Sequence, residues 1–175
     1  MLRQGIAEHI TKESEKLDMA AHFRSYSAVI PIIWKMENGK KQVLLAKRAN
    51  TNYMDGFWDF AGSGHVEKNE TATEALIREI REEVGIEVQP CDTAFAHLTH
   101  TVDGEWTYCD IYFAVERYSG RPRIAEPDKC AELRWFAADQ LPADMIVRRK
   151  DALRRHLNGE YYSEWIEDQA GVVLS

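Results

Sequence analysis

The pattern of apolar and polar positions predicts strands on both sides of one amphipathic helix, beginning with a hairpin. Residues 26–34, YSAVIPIIW, are rich in β-branched and aromatic side chains, which is typical of a buried strand. Pro31 lies within this run and predicts an edge position or a bulge, because proline has no N–H to donate to a neighbouring strand. Asn38-Gly39 follows and predicts a tight turn into a return strand over residues 42–47.

Further strands are predicted in the second half of the chain. The apolar pattern resumes over residues 86–88, 95–101, 106–116 and 132–136. Within residues 106–116 apolar and polar side chains alternate, which is the period of a strand with one buried face. These runs predict a sheet built from both halves of the chain.

The helix between these runs has signals at both ends. Thr71 and Glu74 have the spacing in which the two side chains satisfy free amides at a helix start, and Gly85 suits the left-handed position that ends a helix. Apolar side chains recur at four-residue steps and predict a face that packs on the sheet. They are Ala72, Leu76, Ile80 and Val84. A second helix is predicted over residues 145–157.

Strands around a central helix, with another helix near the C-terminus, predict an α+β fold. We divide the chain into an N-terminal extension over residues 1–20, one domain over residues 21–158 and a tail over residues 159–175. The tail carries more aromatic residues than a disordered segment would. We therefore expect it to pack on the domain or on a second copy of the chain.

Composition narrows the class of protein. The 175 residues are 45% hydrophobic, which is enough for one buried core. An apolar run of about 18 residues is absent and the N-terminus is charged, so we expect a soluble, cytoplasmic protein without a membrane partner. The net charge of −7 disfavours binding to a nucleic acid polymer. Cys91, Cys109 and Cys130 are far apart and fit reduced thiols better than a disulfide framework or a zinc site.

Three carboxylates of the central helix are candidates for metal binding. Glu79, Glu82 and Glu83 lie at positions i, i+3 and i+4, which gather on one side of a helix. Like charges at this spacing repel and destabilise the helix. A hard divalent cation, which prefers carboxylate oxygen, would turn this repulsion into a net attraction. The cluster therefore predicts a Mg²⁺ site, with Mn²⁺ as a substitute.

The spacing around this cluster resembles the Nudix hydrolase family. The chain fills every position of the pattern G-x5-E-x7-R-E-U-x-E-E-x-G-U, in which U is a bulky aliphatic residue. The matching residues are Gly64, Glu70, Arg78, Glu79, Ile80, Glu82, Glu83, Gly85 and Ile86. A chance match in a chain of this length is on the order of one in ten million at average residue usage. Looser similarity extends over residues 21–157.

The resemblance implies an α/β/α sandwich with a mixed β-sheet, in which the pattern forms a loop, a helix and a loop called the Nudix box. It implies that Glu79, Glu82 and Glu83 bind the metal, and that the backbone carbonyl of Ser63 adds a further ligand. It also implies that Arg78 pairs with Glu70 to brace the loop on the helix. Gly64 and Gly85 then have structural roles in the box.

Substrate contacts are also implied by the resemblance. Arg48 matches a position that contacts phosphates, and Glu132, with Glu126 as second choice, matches an acidic residue near the cleft. Trp58 is a candidate for stacking on a base, although a tryptophan before a glycine loop also suits a core position. A proline that is usual in the family is absent from residues 60–62, which leaves the substrate subclass open.

The expected activity is Mg²⁺-dependent hydrolysis of a nucleoside diphosphate linked to another moiety, with a nucleoside triphosphate ranked first. ADP-ribose or a nucleotide sugar is the alternative within hydrolases. An isopentenyl diphosphate isomerase ranks lower, because that enzyme needs a cysteine ahead of the box and no cysteine precedes Cys91. A binding-only regulator is the last alternative. The expected partners are a small nucleotide and, since family members are often dimers, a second copy of the chain.

Overall fold

The computed structural model describes residues 23–104, 106–167 and 173–174. Within these ranges the strands form one mixed sheet. They are β1 (Tyr26–Glu37), β2 (Lys40–Arg48), β3 (Trp58–Phe60), β4 (Gly64–His65), β5 (Thr93–Asp103), β6 (Trp106–Val115), β7 (Cys130–Ala137), β8 (Tyr162–Glu167) and β9 (Val173–Leu174). The predicted N-terminal extension, residues 1–20, lies outside the described residues.

The sheet has the order β3-β2-β1-β6-β5-β8-β9, with β4 paired to β1 and β7 paired to β2. β1 and β2 form the predicted hairpin, and positive φ angles of 50° at Asn38 and 74° at Gly39 fit a turn that matches strand twist. β1 pairs with β6 in parallel, whereas β5 and β6 are antiparallel. Parallel and antiparallel pairs together make the mixed sheet that was predicted.

One helix packs on each face of this sheet. α1 (Ala72–Glu79) buries Ala75 and Leu76 against Val29 and Ile33 of β1. α2 (Val147–Leu157) buries Ala152 and Leu153 in the opposite core, with Ile30 and Ile32 of β1. Alternate residues of a strand point to opposite faces, so β1 contributes to both cores. The predicted α+β fold, an α/β/α sandwich, is confirmed.

Pro31 lies on an interior strand, so the prediction of an edge strand was wrong, but the position itself has no partner on one side among the described residues. β1 pairs with β4 through Ala28 and Val29, and with β2 from Trp34 onward. Pro31 falls between these two partners on one side and pairs in register with Phe113 of β6 on the other. A proline is tolerated here because neither antiparallel partner pairs with this position.

α1 begins at the predicted cap. The Thr71 hydroxyl accepts from the Glu74 N–H, and the Glu74 carboxylate accepts from the Thr71 N–H at 2.8 Å. The helix then continues as one π-helical turn, Ile80–Val84, which ends at Gly85 with a φ of 70°. The apolar stripe predicted from Ala72 to Val84 faces the core, so the π turn changes the winding and keeps the buried face. Such turns are frequent at functional sites.

The segments that connect these elements depart from the pattern in two places. Residues 86–88 form only an isolated bridge, between Glu87 and Ser119, and not a strand. β3 and β4 lie within residues 48–67, a glycine-containing stretch in which the apolar pattern predicts no strand. β8 comes from the predicted tail and pairs in parallel with β5, with Trp165 buried against the domain.

The described part of the chain contains no helix of the length and apolar character that crossing a membrane requires.

Candidate active site

A cleft of about 1410 Å³ opens where the end of α1 meets the loop before it. Its walls come from the glycine-containing loop over residues 61–64, the loop over residues 48–53, the start of β7 and the start of α2. Glu79 and Glu83 project into this cleft from α1 and its π turn. Two of the three predicted carboxylates are therefore accessible to a small molecule in this cleft.

Gly64 holds the Glu79 carboxylate at short range. A Cβ at position 64 would overlap the carboxyl carbon and both oxygens of Glu79. Gly62 is similarly tight, since a Cβ there would lie 3.1 Å from the Ile80 Cα. The loop can approach the helix this closely because both positions lack a side chain.

Glu83 is the carboxylate whose protonation the fold changes most clearly in this cleft. Burial raises its pKa to about 7, and the nearby carboxylates of Glu79 and Glu126 contribute to the rise. Its Oε2 accepts one hydrogen bond from the Gly62 N–H at 3.1 Å, and this bond opposes the rise in the pKa. Burial also raises the pKa of Glu79, against the opposing Arg78 guanidinium. Two crowded, partly desolvated carboxylates carry a cost that a bound cation would remove.

Glu82 does not join this pair. Its side chain is 45% exposed, lies outside the cleft lining and accepts from Arg78 Nη1 at 3.4 Å. No three His, Cys, Asp or Glu side chains of the described residues are positioned together as a ready metal cage. The structure thus brings Glu79 and Glu83 together in the cleft, whereas Glu82 is hydrogen-bonded to Arg78 outside it. The two oxygen donors still fit Mg²⁺, which commonly uses one or two carboxylates and takes other ligands from water and substrate phosphates.

Arg78 lies beside the predicted partner Glu70. Its Nε and Nη2 donate to the two Glu70 oxygens at 2.8 and 2.9 Å, and its Nη2 also donates to the His65 carbonyl at 3.0 Å. The hydrogen bonds from Arg78 lower the pKa of Glu70 to about 2. This forked pair ties the loop before α1 to the helix, and Arg78 Nη1 reaches Glu79 at 2.6 Å.

Ser63 and Arg48 both line the cleft. The Ser63 hydroxyl donates to the Phe60 carbonyl at 2.8 Å. Arg48 donates to Asp59, Thr51 and the Tyr53 carbonyl. Its guanidinium is therefore held in place by the protein, and its phosphate contact stays a prediction.

The structure places Trp58 and Glu132 away from the cleft lining. Trp58 is 3% exposed and packs edge-on against Phe136 at a centroid distance of 4.8 Å, so it is a core residue and the predicted stacking on substrate is wrong. Glu132 pairs with Arg134 on the surface of β7. The second choice, Glu126, lines the cleft and pairs with Lys129 at 2.8 Å. Glu126 is therefore the acidic residue that faces Glu79 and Glu83.

A buried ionic network below the cleft was not predicted. Arg149, from the first turn of α2, donates to Asp59 at 3.1 Å, to Asp110 at 2.8 Å and to the Tyr112 hydroxyl at 2.9 Å. Asp59 also accepts from Arg48 at 3.2 Å. The network joins β3, β6 and α2 beneath the cleft and fixes one end of Arg48.

Comparison with known proteins gives the family. The sequence profile of the NUDIX domain matches residues 27–157, which is most of the chain. The chain belongs to the Nudix family. A crystal structure of a MutT NUDIX hydrolase from Burkholderia pseudomallei superposes with a TM-score of 0.65 at 27% identity, covering 75% of this chain and 98% of that one.

Two curated relatives of this Nudix protein differ in how much they share with it. An 8-oxo-dGTP diphosphatase of Proteus vulgaris is 49% identical over 49 residues, which are 28% of this chain and 43% of that protein. Isopentenyl-diphosphate Delta-isomerase 2 of Aromatoleum aromaticum is 26% identical over 174 residues, 97% of this chain and 85% of that protein. The chain therefore spans less than half the length of the 8-oxo-dGTP diphosphatase, which has the higher identity of the two.

Replacing Gly64 of the Nudix box by alanine is expected to lower kcat by about 100-fold or more, because the added Cβ displaces the Glu79 carboxylate and small misplacements of a reacting group have effects of this size. Steady-state kinetics with a Mg²⁺ titration would measure both the loss and the higher metal requirement. Gly39→Ala is the control: a Cβ there contacts nothing within 4 Å, and the strain that alanine meets at a φ of 74° is confined to the β1–β2 turn, so kcat is expected to stay unchanged while Tm falls slightly. Equal activity of both variants would contradict the close packing of Glu79 on Gly64.

Proposed function

We propose that this protein is a Mg²⁺-dependent hydrolase that cleaves the diphosphate bond of a nucleoside diphosphate linked to another moiety. The carrying observation is the pair Glu79 and Glu83, held side by side in a cleft large enough for a nucleotide, with the pKa of Glu83 raised to about 7. Such crowding is unfavourable in the free protein and becomes favourable around a divalent cation.

Each group of the cleft has a place in this reaction. Glu79 and Glu83 hold the ion, with Ser63 as the candidate for a backbone ligand. When bound there, the ion would neutralise phosphate charge and make the attacking water easier to deprotonate. Glu126 faces the same pair from a separate loop and is the carboxylate left to accept a proton from the attacking water. Arg48, fixed by Asp59 and Thr51, presents positive charge to the phosphate chain.

A nucleoside triphosphate is the substrate class that we rank first. The similarity to an 8-oxo-dGTP diphosphatase supports this ranking, although it covers 43% of that protein. ADP-ribose and nucleotide sugars share the same diphosphate chemistry, so the carboxylates of the cleft serve either class.

An isopentenyl diphosphate isomerase is the second candidate, and the alignment over 97% of the chain favours it. The sequence lacks a cysteine ahead of the box. The thiol that does line the cleft is Cys130 of β7, and burial raises its pKa, which disfavours the reactive thiolate. The missing cysteine ahead of the box and the raised pKa of Cys130 therefore fit an isomerase less well than a hydrolase.

A panel of compounds with Mg²⁺ tests these assignments. Nucleoside triphosphates, ADP-ribose, a nucleotide sugar and isopentenyl diphosphate are incubated with the protein, and pyrophosphate, orthophosphate, nucleoside monophosphate and allylic product are measured. A monophosphate product is expected from a nucleotide and is expected to disappear when Mg²⁺ is chelated. Allylic product alone would favour the isomerase, and nucleotide binding without any product would favour a regulator.

A further inference from the structure

Four aromatic rings line the cleft on the side of the sheet that faces α2, and we call them the aromatic platform. They are Tyr26, His65, Trp106 and Tyr108. Tyr26 stacks on Tyr108 with centroids 5.2 Å apart and an interplanar angle of 26°. Tyr26 also lies 5.5 Å from the Trp106 ring, and His65 lies 5.9 Å from Tyr108. The rings therefore form one continuous aromatic surface.

Strand register explains why these rings share a face. Tyr26 of β1 is the in-register partner of Tyr108 in β6, and Trp106 lies two residues before Tyr108 on the same strand. Residues two apart on a strand, and direct partners on neighbouring strands, point to the same side. On β5, Thr101 pairs with Tyr108 and Asp103 pairs with Trp106, which brings both polar side chains beside the rings.

Two observations indicate that this surface awaits a ligand. Tyr26 is 48% exposed and Trp106 is 49% exposed, so large apolar faces meet solvent inside a cleft rather than in the core. The Thr101 hydroxyl is buried, with the residue 2% exposed, and finds no hydrogen-bond partner among the described residues. A buried polar group of this kind is costly unless something bound satisfies it.

The platform lies next to the carboxylate pair. His65 directly follows Gly64, against which the Glu79 carboxylate packs, and the His65 carbonyl accepts from Arg78. The platform and the two carboxylates therefore line one cleft, joined through Gly64 and His65, and a nucleotide that spans the cleft can contact both. Trp58, the stacking candidate from sequence, is buried outside this surface.

We propose that the aromatic platform binds the base of the nucleotide by stacking, with the Thr101 hydroxyl and the Asp103 carboxylate meeting the edge of the base. The proposal rests on the proposed function in one respect, namely that the ligand is a nucleotide. Stacking on aromatic rings tolerates every base because each base has a π face. The polar pair on β5 then gives the site its means of preferring one base over another.

Binding of nucleoside monophosphates with Mg²⁺ tests the proposal without turnover, because these compounds contain no diphosphate bond. Calorimetry would compare GMP, AMP and CMP with ribose 5-phosphate on the wild type and on Trp106→Ala and Tyr26→Ala. At least one monophosphate is expected to bind more tightly than ribose 5-phosphate. Each variant is expected to weaken that binding by about tenfold, the range seen for loss of one stacked aromatic.

The matched control is Tyr161→Ala. Tyr161 stacks on Phe95 at 6.4 Å, and both rings are exposed but lie outside the cleft. The Tyr161→Ala variant is expected to bind every compound as the wild type does. Thr101→Val removes the hydroxyl without changing the shape of the side chain. It is expected to leave Tm unchanged or higher while weakening nucleotide binding, which a purely structural hydroxyl would not do.

The proposal is overturned if Trp106→Ala and Tyr26→Ala bind the monophosphates as tightly as the wild type, or if ribose 5-phosphate binds equally well. Because the assay needs no hydrolysis, a protein that fails the substrate panel can still show platform binding. An active hydrolase can likewise fail this test, so the two failures are distinct.

Discussion

Replacing Glu83 by glutamine is expected to lower kcat by about three orders of magnitude, within the range of 10²–10⁴ that acid–base and electrostatic contributions usually span. Glutamine keeps the shape and can still accept the hydrogen bond from the Gly62 N–H. It removes one of the two negative charges of the pair that we propose as the cation site. Steady-state kinetics on the substrate identified by the panel would measure the loss.

The same variant is expected to be at least as stable as the wild type when metal is chelated. The Glu83 pKa rises from an ordinary value of 4.5 to about 7 on folding, so the folded protein holds a proton more readily between these values. Its contribution to stability is therefore greatest below pH 4.5 and falls as pH rises toward 7. At pH 8 the Tm of Glu83→Gln should exceed that of the wild type, and the two should converge near pH 4.5.

Glu87→Gln is the control for both measurements, because this exposed glutamate lies just beyond the box and only its backbone forms the bridge to Ser119. It is expected to keep full activity and an unchanged Tm. Activity retained in Glu83→Gln would remove the basis for the hydrolase proposal. A lower Tm at pH 8 in metal-free buffer would show instead that the carboxylate stabilises the fold.

Replacing Arg149 by methionine is expected to give the largest loss of stability. Methionine fills a similar volume, but it leaves the buried carboxylates of Asp59 and Asp110 without their common cation. Breaking a buried ion pair by removing one partner costs roughly 3–5 kcal/mol. For a chain of 175 residues, such a loss lowers Tm by about 10 °C. Thermal unfolding followed by circular dichroism would measure it.

Arg154→Met is the matched control on the same helix. Arg154 pairs with Asp151, and its side chain is 56% exposed, so its loss is expected to change stability by about 0.5 kcal/mol or less. If Arg149→Met and Arg154→Met unfold at the same temperature, the network beneath the cleft does not stabilise the fold.

Local signals predicted the parts of the fold that depend on neighbouring residues. Thr71 and Glu74 define the start of α1, and Asn38-Gly39 defines the hairpin turn, because each feature is built within a few residues. The π turn that ends α1 could not be predicted, since the four-residue spacing of Ile80 and Val84 suits either winding. That turn accompanies the separation of Glu83, in the cleft, from Glu82, outside it.

Contacts between residues far apart in the chain limited what the sequence could predict about the site. Arg149 lies in the run VRRK, which is typical of a solvated basic face, while its partners Asp59 and Asp110 are 90 and 39 residues away. The sequence around Trp58 fits either a stacking residue or a core residue, because the contact with Phe136 that buries it comes from a distant strand. The resemblance to a family singled out Glu79, Glu82 and Glu83, of which the structure places Glu79 and Glu83 in the cleft. The aromatic platform depends on the register of β1, β5 and β6, which no local pattern gives.

The parallel pairing of β1 with β6 has a consequence during translation. β1 emerges first and carries Val29, Ile30, Ile32 and Ile33, all fully buried in the finished fold. Its parallel neighbour β6 follows α1 and β5 in the chain, so it is synthesised after both of them. Until β6 is available, the β1–β2 hairpin exposes apolar side chains on both of its faces, which makes the unfinished chain prone to aggregation during this interval.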